Sequence, residues 1–127
     1  MIELRFAKLH RLADGKAIAQ VFKRPRFKVQ NRSGLILARS NGLKTNRIVV
    51  IVGKKNIRRA VDRNRVKRIV RESFRNSSVI NNNGLISSNG CDIVFVARKG
   101  ALDGLWETST ANQLIALWIK LENRAVS

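Results

Sequence analysis

The sequence predicts an α+β sandwich, a mixed sheet of about four strands packed with helices in the order α-β-β-β-α-β-α. Three observations lead there. Four short runs, at 26–30, 33–39, 47–52 and 92–97, alternate or are continuously apolar and β-branched, as strands are. Stretches at 15–23, 62–75 and 108–122 repeat apolar residues at helical spacing. Three hairpin-type strands are then followed by strand–helix–strand, which requires a mixed sheet. The chain has 127 residues, 44% of them hydrophobic, enough for one domain with its own core.

Residues 1–13 are basic and mixed, with Leu4, Phe6, Leu9 and Leu12 as anchors. Asp14 is placed to cap a helix over 15–23, whose Ala17, Ile18, Val21 and Phe22 are spaced for one buried face. Pro25 ends it, because the residue before proline avoids helical dihedrals. Arg26–Gln30 alternates, with Phe27 and Val29 on one side and Lys28 on the other, as a half-buried strand does. Ser33–Arg39 is a more apolar strand, and Ser40–Asn46 contains the turn dipeptide Asn41-Gly42. Arg47–Val52 is so continuously β-branched that an interior strand is expected. Residues 76–90 form a long Asn/Ser/Gly-rich loop, Asp92–Ala97 a buried strand, and Thr108–Glu122 a last amphipathic helix with Thr110 and Gln113 as a capping box.

Twenty-six Lys and Arg against eight Asp and Glu give a net charge of +18, which calls for a phosphate-rich partner. An anionic membrane surface competes for that role, but no segment approaches 18 uninterrupted apolar residues, and the N-terminus has no signal-peptide core. A single cysteine, Cys91, excludes an internal disulfide and a cysteine-rich metal site; it reads as a small buried residue. The only histidine, His10, has no orienting carboxylate near it in sequence and reads as a polar surface group. The carboxylates are spread thinly, with no spacing suited to acid–base or two-metal chemistry. No catalytic and no metal-binding residue is expected.

The charge concentrates in residues 54–75. Lys54, Lys55, Arg58, Arg59, Arg63, Arg65, Lys67, Arg68, Arg71 and Arg75 stand there against only Asp62 and Glu72. From Asp62 onward the spacing is helical: Val66, Ile69, Val70, Ser73 and Phe74 form an apolar stripe, and Asn64, Lys67, Arg68, Arg71 and Arg75 lie opposite it. Ile57, Ala60 and Val61 fall outside the stripe, so an irregular or separately packed first turn is expected. A merely solvated face mixes signs, because like charges repel; this ladder points to nucleic acid.

The residues from Arg47 to Arg75 resemble the signature of the bacterial ribonuclease P protein component. Gly53-Lys54-Lys55 ends a buried strand; Ala60-Val61, Arg63-Asn64-Arg65-Val66-Lys67-Arg68 and Arg71-Glu72-Ser73-Phe74-Arg75 follow. Leu9-His10-Arg11-Leu12, Val21-Phe22, Asp92–Gly100 and Leu117-Trp118 extend the likeness. The resemblance implies a left-handed strand–helix–strand crossover, against the usual handedness. It implies a cytoplasmic subunit that pairs with a large catalytic RNA to remove the 5′ leader of precursor tRNA by hydrolysis. The RNA would hold the catalytic Mg²⁺, and the protein alone no cofactor.

Carried onto this chain, Arg63, Asn64, Arg65, Lys67, Arg68 and Arg71 would contact the catalytic RNA, supported by Lys54, Lys55, Arg59 and Arg75. Arginine forks two phosphate oxygens, which suits its abundance here. In the family, a cleft between sheet and first helix holds the single-stranded leader. Phe22 matches an aromatic of that cleft, where stacking accepts any base. Arg11, Lys23, Arg26 and Lys28 would flank the leader backbone, and Phe27 would line the cleft or belong to the core. Ile18 stands where the family often has a second aromatic. A structural ribosomal-type RNA binder is the nearest alternative. A DNA-binding module lacks a helix-turn-helix pair or metal-ligand set here, and a protein-only nuclease lacks clustered carboxylates.

Overall fold

A computed structural model of the chain describes residues 11–43, 45–75 and 90–98. The expected loop at 76–90, apart from Gly90, and the expected last helix at 108–122 lie outside the described residues, as do Leu4, Phe6, Leu9 and His10.

Helix α1 spans Gly15–Lys23, and the Asp14 side chain caps it by accepting a hydrogen bond from the Lys16 amide at 3.0 Å. Strand β1 (Phe27–Gln30) turns into β2 (Gly34–Ser40), β3 spans Arg47–Ile51, α2 spans Ala60–Arg75, and β4 spans Cys91–Ala97. The sheet order is β1-β2-β4-β3. β2 pairs antiparallel with β1 and β4, whereas β3 pairs parallel with β4. The expected mixed sheet is therefore present. In the turn after β2, Gly42 takes φ +72°, which a side chain would disfavour, and Asn41 Oδ1 accepts the Leu43 amide at 2.8 Å.

The pleat sorts the apolar residues into two layers. On one face Phe27, Val29, Ile36, Ala38, Ile48, Val50, Ile93 and Phe95 pack with Ile57 and with Val66, Val70 and Phe74 of α2. On the other, Leu37 and Val94 pack with Leu12 and with Val21 of α1, flanked by half-buried Ala17, Ile18, Leu35, Val49, Ile51 and Val96. The buried triplet Val66, Val70 and Phe74 recurs every four residues, and each side chain contributes roughly 1.5–3 kcal/mol of burial.

One strand differs from expectation. Among the described residues β3 is an edge of the four-stranded sheet, not an interior strand; on its side away from β4, a bridge joins Arg11 to Ile48, with the Leu12 amide on the Ile48 carbonyl at 2.9 Å. Its apolar run reflects cover on both faces: Ile48 and Val50 face the α2 layer, Val49 and Ile51 the α1 layer. The interior strand is β4, buried along nearly its whole length.

A buried polar knot closes one end of the sheet. Arg47 binds Asp92 with two hydrogen bonds of 2.8 Å, Asn41 Nδ2 donates to Asp92 Oδ1 at 3.0 Å, and Asn46 Oδ1 accepts the Cys91 amide at 2.8 Å. The hydrogen bonds to Asp92 hold the Arg47 guanidinium above its ordinary pKa. At the opposite end, Arg98 donates to the Asn31 carbonyl at 3.3 Å and to Gln30 Oε1, fastening the β1–β2 turn.

Candidate nucleic-acid interface

Because Val66, Val70 and Phe74 anchor one side of α2, the residues about half a turn away must face solvent. Asn64, Arg68 and Arg71 are exposed, and Lys67 is half-buried at the edge of the same face. The expected irregular stretch is the loop before the helix, where Ile57 is buried in the same layer as Val66, Val70 and Phe74; the first turn itself is regular, with Ala60 exposed and Val61 62% exposed. That loop begins at Gly53, whose carbonyl accepts the amides of Asn56 and Ile57 at 3.2 and 3.0 Å, and it presents Lys54, Lys55, Arg58 and Arg59 to solvent. Arg58 belongs with this group, although only the shared charge cluster marked it in the sequence.

Two residues of the motif stand elsewhere. Arg63 is half-buried, and its Nη1 donates to the carbonyls of Ile57 at 3.1 Å and Arg58 at 2.7 Å. Arg65 is half-buried on the flank of α2 that carries Ile69. The side chain of Arg75 lies outside the described ones.

A second basic surface surrounds α1, which packs on β4 and β2. Val21 is its buried contact; one residue on, Phe22 is 46% exposed beside Ile18. Lys23 and Lys28 are exposed, and Lys28 stands opposite Leu37, whose side chain belongs to the α1 layer. The α1 side of the sheet thus offers an aromatic face, apolar floor residues Leu35 and Val96, and cations.

Phe27 does not line this groove. The pleat turns it into the α2 layer, where it is 8% exposed. The guanidinium of Arg26 goes with it, 5.5 Å from the ring centroid in a cation–π contact. Arg39 has a structural use that charge counting missed: its Nη1 donates to the Arg24 carbonyl at 3.1 Å and fixes the exit of α1.

The two basic surfaces meet at the β3 edge. A cleft of about 390 Å³ there has Arg11 and Arg71 at its rim and Leu12, Ile18, Ile48 and Val49 along its walls. Cys91 lies apart from both surfaces, buried in the α2 layer, where desolvation pushes its thiol up to about 11. Among the described residues, no His, Cys, Asp and Glu gather in groups of three or more that could hold a metal ion. No helix among them is long and apolar enough to cross a membrane.

The family model of ribonuclease P matches residues 6–122. The ribonuclease P protein component of Pseudomonas aeruginosa is 40% identical over 121 residues, covering 95% of this chain and 84% of that protein. Its counterpart from Chromohalobacter salexigens is 39% identical over 122 residues, covering 96% of this chain and 89% of that one. Among solved structures, the ribonuclease P protein from Thermotoga maritima is similar with a TM-score of 0.66 and 31% identity, over 90% of this chain and 96% of that one. The one from Staphylococcus aureus gives 0.65 and 26%, over 91% and 94%. With a motif helix whose basic face is turned outward and a match along nearly its whole length, this chain belongs to the ribonuclease P protein family.

Proposed function

We propose that this subunit of ribonuclease P works in the cytoplasm by holding two RNAs at once. The catalytic RNA lies on the outer face of α2 and its preceding loop, and the 5′ leader of precursor tRNA lies in the groove beside α1. The observation that carries this reading is the division of α2 into a buried spine, Val66, Val70 and Phe74, and an outer face bearing Asn64, Arg68 and Arg71.

Lys54, Lys55, Arg58, Arg59, Lys67, Arg68 and Arg71 neutralise phosphates of the catalytic RNA, with Asn64 as a hydrogen-bonding partner and Arg65 and Arg75 at the margins. Phe22 stacks a leader base, and Arg11, Lys23 and Lys28 follow the leader backbone. Hydrolysis of the leader junction is performed by the RNA with its Mg²⁺. The protein supplies position and charge: it offsets repulsion between two polyanions and so lowers the Mg²⁺ that the complex requires.

The leader groove is tested by Phe22→Ala. The change should weaken binding of leader-bearing precursor to the assembled complex by about 1–3 kcal/mol, the range for loss of one stacked base. Binding of mature tRNA should be unchanged. Equal losses on both ligands would remove Phe22 from the groove.

A further inference from the structure

We infer that Arg63 is a positioning residue, which sets the basic loop 53–59 against the start of α2 and makes no phosphate contact of its own. This rests on the reading of α2 and its loop as the surface for the catalytic RNA.

The geometry is specific. Arg63 Nη1 donates to two successive carbonyls of the loop, Ile57 at 3.1 Å and Arg58 at 2.7 Å, while the Arg63 amide donates to the Arg59 carbonyl at 3.0 Å. The guanidinium thus ties two successive loop carbonyls to the first turn of the helix, next to the carbonyl that the ordinary helical bond of the Arg63 amide already holds. A cation near a helix N-terminus is disfavoured by the macrodipole, so this guanidinium gains by reaching back to carbonyl oxygens. Among the described residues the loop has three other anchors: Ile57 in the α2 layer, the Gly53 carbonyl taking the Asn56 and Ile57 amides, and Asn56 Nδ2 on the Ala97 carbonyl at 3.1 Å. Between these anchors stand Lys54, Lys55, Arg58 and Arg59, all exposed. Arg63 therefore fixes where four cations stand relative to Asn64, Arg68 and Arg71. A surface ordered before binding loses less freedom on meeting a rigid RNA.

The test is a double-mutant cycle on the full chain. Arg63→Met is made alone and with Lys54, Lys55, Arg58 and Arg59 all changed to alanine, and Arg68→Ala serves as the comparator. Two quantities are read: amide hydrogen exchange at Asn56 and Ile57 in the free protein, and affinity for bacterial ribonuclease P RNA against salt. Arg63→Met should speed exchange at both amides at least tenfold, and Arg68→Ala should not. With the native loop Arg63→Met should weaken RNA binding; with the alanine loop it should add no loss and leave the salt slope unchanged. Arg68→Ala should lower the slope by about 0.7–0.9 in either background. An equal slope change from Arg63→Met in both backgrounds, or unaltered amide exchange, overturns the inference. Should Arg63→Met fail to fold, the wild-type guanidinium is followed by ¹⁵N NMR. Restricted rotation in the free protein, unchanged by RNA, supports the positioning role. A guanidinium that is restricted only in the complex refutes it. Failure of the wild type to bind the RNA would instead sink the functional reading, and the exchange data would still judge the clamp.

Discussion

The clearest quantitative consequence of the α2 geometry concerns salt. Arg68 lies on the side of α2 away from Val66, Val70 and Phe74 and Arg71 on its flank beside the β3-edge cleft; both are exposed, so the double change Arg68→Ala, Arg71→Ala removes two cations without opening the core. Alanine also favours a helix interior, so thermal stability should move by no more than about 0.5 kcal/mol. Removing one cation from a phosphate should reduce the log–log salt slope by roughly 0.7–0.9, so the pair should reduce it by about 1.4–1.8. Between 50 and 200 mM salt, that difference makes the variant's deficit about 7–12-fold larger at the low-salt end. The assay is a filter-binding or fluorescence titration of ribonuclease P RNA across that range, with equal folding verified by circular dichroism. A parallel drop in affinity with the slope preserved would show that neither guanidinium meets a phosphate, and the outer face of α2 would lose its assigned role.

Other consequences concern the fold and the buried thiol. Gly34→Ala should destabilise the protein by roughly 1–3 kcal/mol, because the new Cβ would stand 2.4 Å from Phe95 Cζ at the centre of the α2 layer; an unchanged melting temperature would contradict that packing. Phe74→Ala should cost about 3–5 kcal/mol in a denaturant titration, in contrast to Phe22→Ala, whose ring is half-exposed. Cys91 should resist thiol reagents near pH 8 until the chain unfolds. Burial raises its folded pKa to about 11, so the folded state keeps a proton that the unfolded state releases. Its contribution is complete below the ordinary thiol pKa and is lost as pH rises toward 11. Cys91→Ala should therefore flatten the fall in stability across that window, and an identical alkaline profile would refute the assignment.

Much of this was legible in the residues themselves. Asp14 and Pro25 bracket α1, the alternation of Phe27, Lys28 and Val29 gives β1 its buried and exposed faces, and the stripe Val66, Val70, Phe74 orients α2. What was not legible depends on partners distant in sequence. Arg47–Val52 reads as interior because both its faces are apolar, but edge or centre is decided by which strands pair, and β4 arrives 40 residues later to take the middle. Phe27 has the right type for stacking, yet its side of the pleat is set by register with Ala38. The positive charge of Arg63, Arg39, Arg47 and Arg98 is identical on paper to that of Arg68. Only the fold reveals that these four guanidiniums serve carbonyls, an amide oxygen and a buried carboxylate. A left-handed β3–α2–β4 crossover is what the family resemblance implies, against the general rule that favours the right-handed form.

The most direct test of the central claim is cleavage of a 5′-extended precursor tRNA at low Mg²⁺, with the protein alone, with a bacterial ribonuclease P RNA alone, and with both together. The account predicts cleavage at the leader junction in the mixture, with little from the RNA alone and none from the protein alone. Cleavage by the protein alone would place a catalytic site in this chain. A mixture that binds but cleaves no faster than the RNA alone would reduce the protein to a structural RNA binder.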